Sequence, residues 1–186
     1  MQNVEYNHNI WNTILKEVIY MKNLKNNMIF GAIFVSILGT LFHFVYEWTA
    51  NNAIVGLFVP VNESTWEHMK LIFFPMLLFS FYANKKLSKD YPCISSALSF
   101  GTILGTILIP VLFYTYSGGL GYNISVIDIS TFYISVIVAF ILSYKLTLSC
   151  KVNKYGNLLN FILILFTVAF IIFTVFPPEI ALFVSP

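Results

Sequence analysis

The chain has 186 residues, of which 58% are hydrophobic and 18% aromatic, while only 10% are charged, against about 25% in an ordinary soluble domain. A mean hydropathy of +0.80, with apolar runs long enough to cross about 30 Å of hydrocarbon, excludes a soluble globular protein and predicts an all-α, polytopic helix bundle in a lipid bilayer. The net charge of +2, with no basic patch beyond short juxtamembrane clusters, argues against a nucleic-acid partner.

In chain order, residues 1–27 form a polar lead. Within it Ile10, Ile14, Val18 and Met21 recur at helical spacing beside Trp11, with Lys16, Lys22 and Lys25 among the rest, so an amphipathic helix lying in the interface is expected. No small-residue cleavage pattern follows, and the first span is expected to stay in the protein. Residues 28–186 form one transmembrane domain of five spans, at about 28–48, 64–83, 93–116, 124–144 and 158–177. Pro75 and Pro110 fall inside the second and third, where neighbouring helices can re-satisfy the freed carbonyls. Between the first two spans AIVGLFVP (53–60) is too apolar for an exposed turn and too short to cross. It is predicted to be a re-entrant or interfacial segment covering the outer end, with Asn51, Asn52 and Asn62 supplying polar contacts.

Every basic residue is a lysine, and lysines set orientation because they are retained on the cytoplasmic side. Lys22 and Lys25 precede the first span, Lys85, Lys86 and Lys89 lie in the second loop, and Lys145, Lys151 and Lys154 lie near the fourth, whereas the other two loops contain none. This predicts a bacterial-type cell-membrane topology with a cytoplasmic N-terminus and an external C-terminus. Cys93 and Cys150 then fall on a reducing side, and no structural disulfide is expected. Trp11, Tyr46, Trp48, Trp66, Tyr114, Tyr116, Tyr122 and Tyr144 read mainly as interface anchors, and His8 as a solvated side chain.

Five of the eight acids gather at the opposite end. His43 and Glu47 approach the outer end of the first span, Glu63, Glu67, His68 and Lys70 occupy the start of the second, Asp128 the start of the fourth, and Glu179 follows the fifth. On the first helix Ala32, Ser36, Gly39 or Thr40, His43 and Glu47 share a stripe of small and polar residues, the kind of face along which membrane helices approach. Asp128, Thr131 and Ser135 make a similar stripe, and GTILG (101–105) a close-packing face.

Three readings of this cluster are open. In the structural one, Ser64-x-x-Glu67 forms a capping box, Glu67 pairs with Lys70, and Glu63 complements a helix N-terminus. In the second, His43, Glu47, Glu63 and His68 bind a divalent metal, Zn, Mn or Fe by the mixture of imidazole and carboxylate donors. With a ligand position open, the result would be a metal-dependent hydrolase with Glu67 or Asp128 as general base. In the third, the charges form a path for protons, ions or a small solute, as in a transporter or substrate-capture subunit. The inner helix halves offer little beyond Asn160, Thr and Ser to continue such a path, which favours a one-sided site. A structural or partner-binding membrane protein is the remaining alternative.

The stretch from Gly39 to Leu78 carries an H-F-x-Y-E element, with His43 and Glu47, and a P-V-N-E-S-x-W-E-H element, with Asn62, Glu63, Glu67 and His68. Together with FPPEIALF near the end, these resemble a family of small uncharacterised bacterial multi-pass membrane proteins defined as a domain of unknown function, many from anaerobic Firmicutes. The resemblance implies a membrane location and brings no activity with it.

Overall fold

The computed structural model describes residues 2–185, with side chains from residue 14 onward. The side chains of His8, Ile10 and Trp11 therefore lie outside the described part. The elements are α1 (Gln2–Trp48), α2 (Ala53–Gly56), α3 (Thr65–Leu87), α4 (Ile94–Leu120), α5 (Ser125–Ser149) and α6 (Gly156–Val175), with 3-10 turns at Asn153–Tyr155 and Ala181–Phe183. Among the described residues there is no strand. Successive long helices run antiparallel, so that Trp48, Thr65, Leu120, Ser125 and Val175 share a lysine-poor end and Leu87, Ile94, Ser149 and Gly156 share the lysine-rich end.

Four stretches are long and apolar enough to cross a membrane: Ile14–Trp48, Ile94–Leu120, Ser125–Ser149 and Asn153–Val175. They fit an integral membrane protein. The expected second span, α3, matches them in length but carries Glu67, Lys70, Lys85 and Lys86. It can do so because its neighbours cover it: α1 and α4 pack along it, and Met69, Ile72, Phe73, Met76, Phe79 and Ala83 are buried. Polar groups on such a helix meet protein instead of hydrocarbon.

Glycines set the closest approaches. An added Cβ at Gly105 would lie 2.7 Å from Ile72 Cδ1 and 3.0 Å from Ala139 Cβ, and one at Gly101 would run into Ser143 Oγ and 2.9 Å from Ala139 O. The GTILG face thus packs α4 against α5, as its spacing predicts. Buried hydroxyls along this seam satisfy themselves on their own helices, as with Thr102 to Leu98 O, Thr106 to Thr102 O and Ser135 to Thr131 O. They cost the bundle no unpaired donor.

Three expectations are corrected. The amphipathic lead does not lie separately in the interface; it is the first half of α1, which runs unbroken for 47 residues, about 70 Å at 1.5 Å per residue. Lys22 to Asn27 contain no proline or glycine to interrupt it, and Tyr91, buried in the loop after α3, ties it down by donating from its hydroxyl to Tyr20 O at 2.7 Å. Cys93 and Cys150 are not free thiols but a disulfide. The antiparallel packing of α4 on α5 brings the start of one and the end of the other together, with a Cα separation of 5.3 Å that suits a bridge. Trp66 is not an interface anchor: its ring lies buried against Phe170 (centroids 4.7 Å apart) and Phe183 (4.9 Å), so the tail after α6 folds back onto α3.

Candidate functional site

At the lysine-poor end the charged residues divide into two groups on opposite sides of α3. Ser64 caps the helix, accepting from Glu67 N at 3.4 Å, and the direction in which each following side chain leaves is fixed by that start. Glu67 and Lys70 point toward α6; His68 points toward α1 and α5.

The first group is a dry ion pair. Lys70 Nζ lies 2.6 Å from Glu67 Oε2, with 0% and 3% of the two side chains exposed. The ammonium also donates to Thr174 Oγ1 at 2.6 Å, Gly56 O at 2.9 Å and Val59 O at 3.4 Å, while Glu67 accepts from Val61 N at 3.0 Å and Thr174 Oγ1 at 3.2 Å. The expected capping box is therefore only half formed: Ser64 caps Glu67 N, but the Glu67 carboxylate turns to Lys70 and Val61. Residues 53–61 are pinned by this network. Asn52 caps α2 by accepting from Ile54 N and Val55 N, Asn62 accepts from Ser64 N, and Phe58 reaches down α3 to Phe74, with ring centroids 5.3 Å apart. The apolar segment does fold back along the bundle, but it covers the Glu67–Lys70 pair and not the histidines.

The second group is His43, Glu63 and His68. Each offers one ligand atom, and the three atoms lie within 4.8 Å of one another. His68 Nε2 is 3.3 Å from Glu63 Oε2 and His43 Nε2 is 3.8 Å from Glu63 Oε1. His68 Nδ1 is 2.9 Å from Ser64 O. A carbonyl can only accept, so Nδ1 carries hydrogen, and a neutral His68 would turn the lone pair of Nε2 toward the carboxylate. Two acceptors facing each other at 3.3 Å call for a positive charge between them, either a second proton on the ring or a cation. Glu63 is exposed, with 67% of its side chain open to solvent, whereas the Nδ1 of His43 is buried without a partner.

These three residues rim a cavity of about 430 Å³ between α1, α3, α4 and α5. Asp128 joins them there, held by the hydroxyl of Tyr116, which also accepts from Ile124 N at 3.3 Å. Below the rim the walls are Leu71, Ile109, Phe113 and Phe132. Tyr133 and Thr40 bond across the α1–α5 seam at 3.0 Å.

Of the residues predicted from sequence, His43, Glu63, His68 and Asp128 meet at this cavity. Glu67 does not, being engaged on the far side of α3, and Glu47 and Glu179 are exposed. Glu47 shares His43's helical stripe, but α1 packs along Leu24, Met28, Gly31, Val35 and Gly39, a line turned away from it. Tyr116, Tyr133 and Thr174 were not anticipated. Tyrosines near helix ends carry the same signal as anchors, and the bond of Thr174 spans 104 residues.

A model of a family of unknown function (DUF6512) matches residues 16–185. The chain belongs to this family. The matched region contains every residue that lines the cavity, so the site lies wholly within the DUF6512 unit. No curated protein and no solved structure matches the chain.

Proposed function

We propose that this DUF6512 protein is a five-span membrane protein whose His43, Glu63 and His68 hold a divalent metal, zinc by the donor set, at the mouth of a bundle cavity, and that the metal serves hydrolysis. The observation that carries the reading is the alignment of His68. Its Nδ1–H is spent on Ser64 O, the backbone-carbonyl arrangement usual for metal-bound histidines, and its Nε2 faces a carboxylate that a second imidazole also approaches. Tetrahedral bonds of about 2.0–2.1 Å put ligand atoms about 3.3–3.4 Å apart. The 3.3 Å separation is already of that size, while the 3.8 Å one runs to the other carboxylate oxygen and the three ligand atoms spread over as much as 4.8 Å, so His43 must swing inward to close the set.

Two histidines and a carboxylate would leave a fourth position for water, and a metal held there would lower the pKa of that water toward neutrality. Asp128, on the same cavity wall, is the candidate general base, oriented by Tyr116. Glu67 has no part in this chemistry; its carboxylate is occupied by Lys70. The lysine distribution supports a cytoplasmic lysine-rich face in a bacterial cell membrane, with the site on the outer side, whereas the Cys93–Cys150 bridge at the lysine-rich end argues the other way, since structural disulfides belong to oxidising compartments. A transport path gains less support, because the cavity ends at buried Ile109.

Elemental analysis and Zn²⁺ titration of the purified full-length protein test the reading. About one Zn²⁺ per chain is expected, lost in both His43→Ala and His68→Ala and retained in Glu47→Gln. Equal and negligible binding by wild type and variants would leave the cluster as a protonated histidine–glutamate ion pair and overturn the proposal.

A further inference from the structure

The shape and polarity of the cavity say what kind of molecule it takes. Counting 1.5 Å per residue from the lysine-poor helix ends, His68 and Asp128 lie about 4.5 Å down and His43 about 7.5 Å. On the same scale Leu71 lies about 9 Å down, Phe113 and Phe132 about 10.5 Å, and Ile109 about 16.5 Å. Charged groups are thus confined to the upper rim; the deeper lining is hydrocarbon apart from three hydroxyls already engaged, Thr131 on Asp128 O and Thr40 and Tyr133 on each other. This gradient has the same sense as that of a lipid leaflet.

The opening is lateral as well. The walls from α3 and α4 are closed, with Leu71 and Ile109 buried. The exposed lining residues from the depth of the rim downward come from α1 and α5: Thr40 and Phe44 on one, Ile129 and Tyr133 on the other, each pair one turn apart. Phe44 is 44% and Ile129 60% exposed, at about 6 Å depth on both helices. The Thr40–Tyr133 hydrogen bond closes the slot about 12 Å down. A slot framed by phenylalanine and isoleucine on the lateral surface of a membrane bundle faces acyl chains, and a water-soluble solute has no use for it. The volume of about 430 Å³ falls within the usual range for a specific ligand site.

We infer that the occupant is a membrane lipid: one acyl chain enters between α1 and α5 and lies against Leu71, Ile109, Phe113 and Phe132, presenting the oxygen-rich ester or phosphate region to the His43–Glu63–His68 rim. This rests on the metal reading for the head-group end only, since the chain end is set by the apolar walls.

The test uses the full chain in phosphatidylethanolamine–phosphatidylglycerol vesicles containing a trace of phosphatidylglycerol with a diazirine on one acyl chain. After photolysis, labels are expected on Leu71, Ile109, Phe113 or Phe132 in excess of those on the outward-facing Ile137 and Ile164. Ile109→Trp, which fills the deep end, should lower cavity labelling about ten-fold, the equivalent of losing room for about two methylenes, and leave outer labelling unchanged. Labels confined to outward-facing residues overturn the inference, as does equal cavity labelling by a short-chain, water-soluble diazirine ester. Zn²⁺ measured on the same vesicles separates the two proposals: metal without cavity labels sinks the lipid, and cavity labels without metal sink the metal while supporting the lipid.

Discussion

Replacing Lys70 by methionine probes the strongest energetic feature of the bundle. The substitution keeps the length of the side chain but leaves the Glu67 carboxylate in a dry site, 2% exposed, with only Val61 N and Thr174 Oγ1 as neutral donors, and it strips the donor from Gly56 O and Val59 O. Removing one partner of a buried ion pair costs about 3–5 kcal/mol. At about 2–4 °C per kcal/mol for a chain of this size, thermal unfolding in detergent should fall by about 6–20 °C. Glu67→Gln should destabilise in the same direction, because it leaves the ammonium without a counter-charge. The double variant Glu67→Leu/Lys70→Met should lose less than the sum of the singles, with a coupling of about 2–3 kcal/mol. Hydrogen exchange should locate the first loss at residues 53–61, whose carbonyls Lys70 holds. A Lys70→Met protein within about 1 kcal/mol of wild type would refute the reasoning. So would a Glu67→Gln protein of native stability.

Other expectations follow from the packing and the loops. Gly101→Leu forces a side chain into Ser143 and the Ala139 carbonyl and should lower stability by at least about 1–3 kcal/mol, whereas the same change at Gly118, where an added Cβ meets nothing within 4 Å, should be tolerated in the same melting assay. Cys93→Ser/Cys150→Ser opens a bridge closing 57 residues, a loss of about 4 kcal/mol on loop entropy; maleimide labelling that finds two free thiols in unreduced, freshly prepared protein would remove the bridge from the account. Burial pushes the Tyr91 phenol above its ordinary value of 10.0, so the folded state holds that proton more tightly than the unfolded one. The stabilisation is complete below pH 10 and is lost as pH rises through the folded value; Tyr91→Phe should flatten that part of the alkaline profile relative to wild type, and an unchanged slope would contradict the burial.

Much of the architecture was legible because hydrocarbon thickness dictates helix length and lysine avoids one side. The runs ending near Trp48 and those around Ile94–Leu120, Ser125–Ser149 and Gly156–Val175 needed nothing more. The unbroken course of α1 was not legible, since polarity at Lys22–Asn27 reports on what surrounds a helix and only a backbone breaker reports on where it ends. Gly118 and Gly119 misled in the opposite sense: they read as loop, yet α4 continues through them and stops at Gly121, whose φ of +79° suits only the last position. At the site, residue types and depth singled out His43, Glu63, His68 and Asp128, but not the rotation of each helix. Glu67 and His68 are neighbours in sequence and leave α3 about 100° apart, so which of them meets His43 depends on where α1 and α6 dock. That information is tertiary. The disulfide was missed for a related reason: compartment was argued before geometry, and the antiparallel contact of α4 with α5 decides which cysteines meet.

Helix α3 also bears on how the protein is made. It is more polar than the four helices that are apolar enough to cross a membrane, yet it lies at the centre of the bundle and supplies Glu67, His68 and Lys70 to the two polar groups on either side of it. In the five-span arrangement it must wait for company: α1 can hold its place in lipid from the start, whereas α3 gains a sheltered path only once α4 has emerged to cover its other face. Under the five-span proposal, membrane insertion would be a cooperative act, committed around the time α4 arrives, and the lining of the cavity would come into being in the same step as the topology.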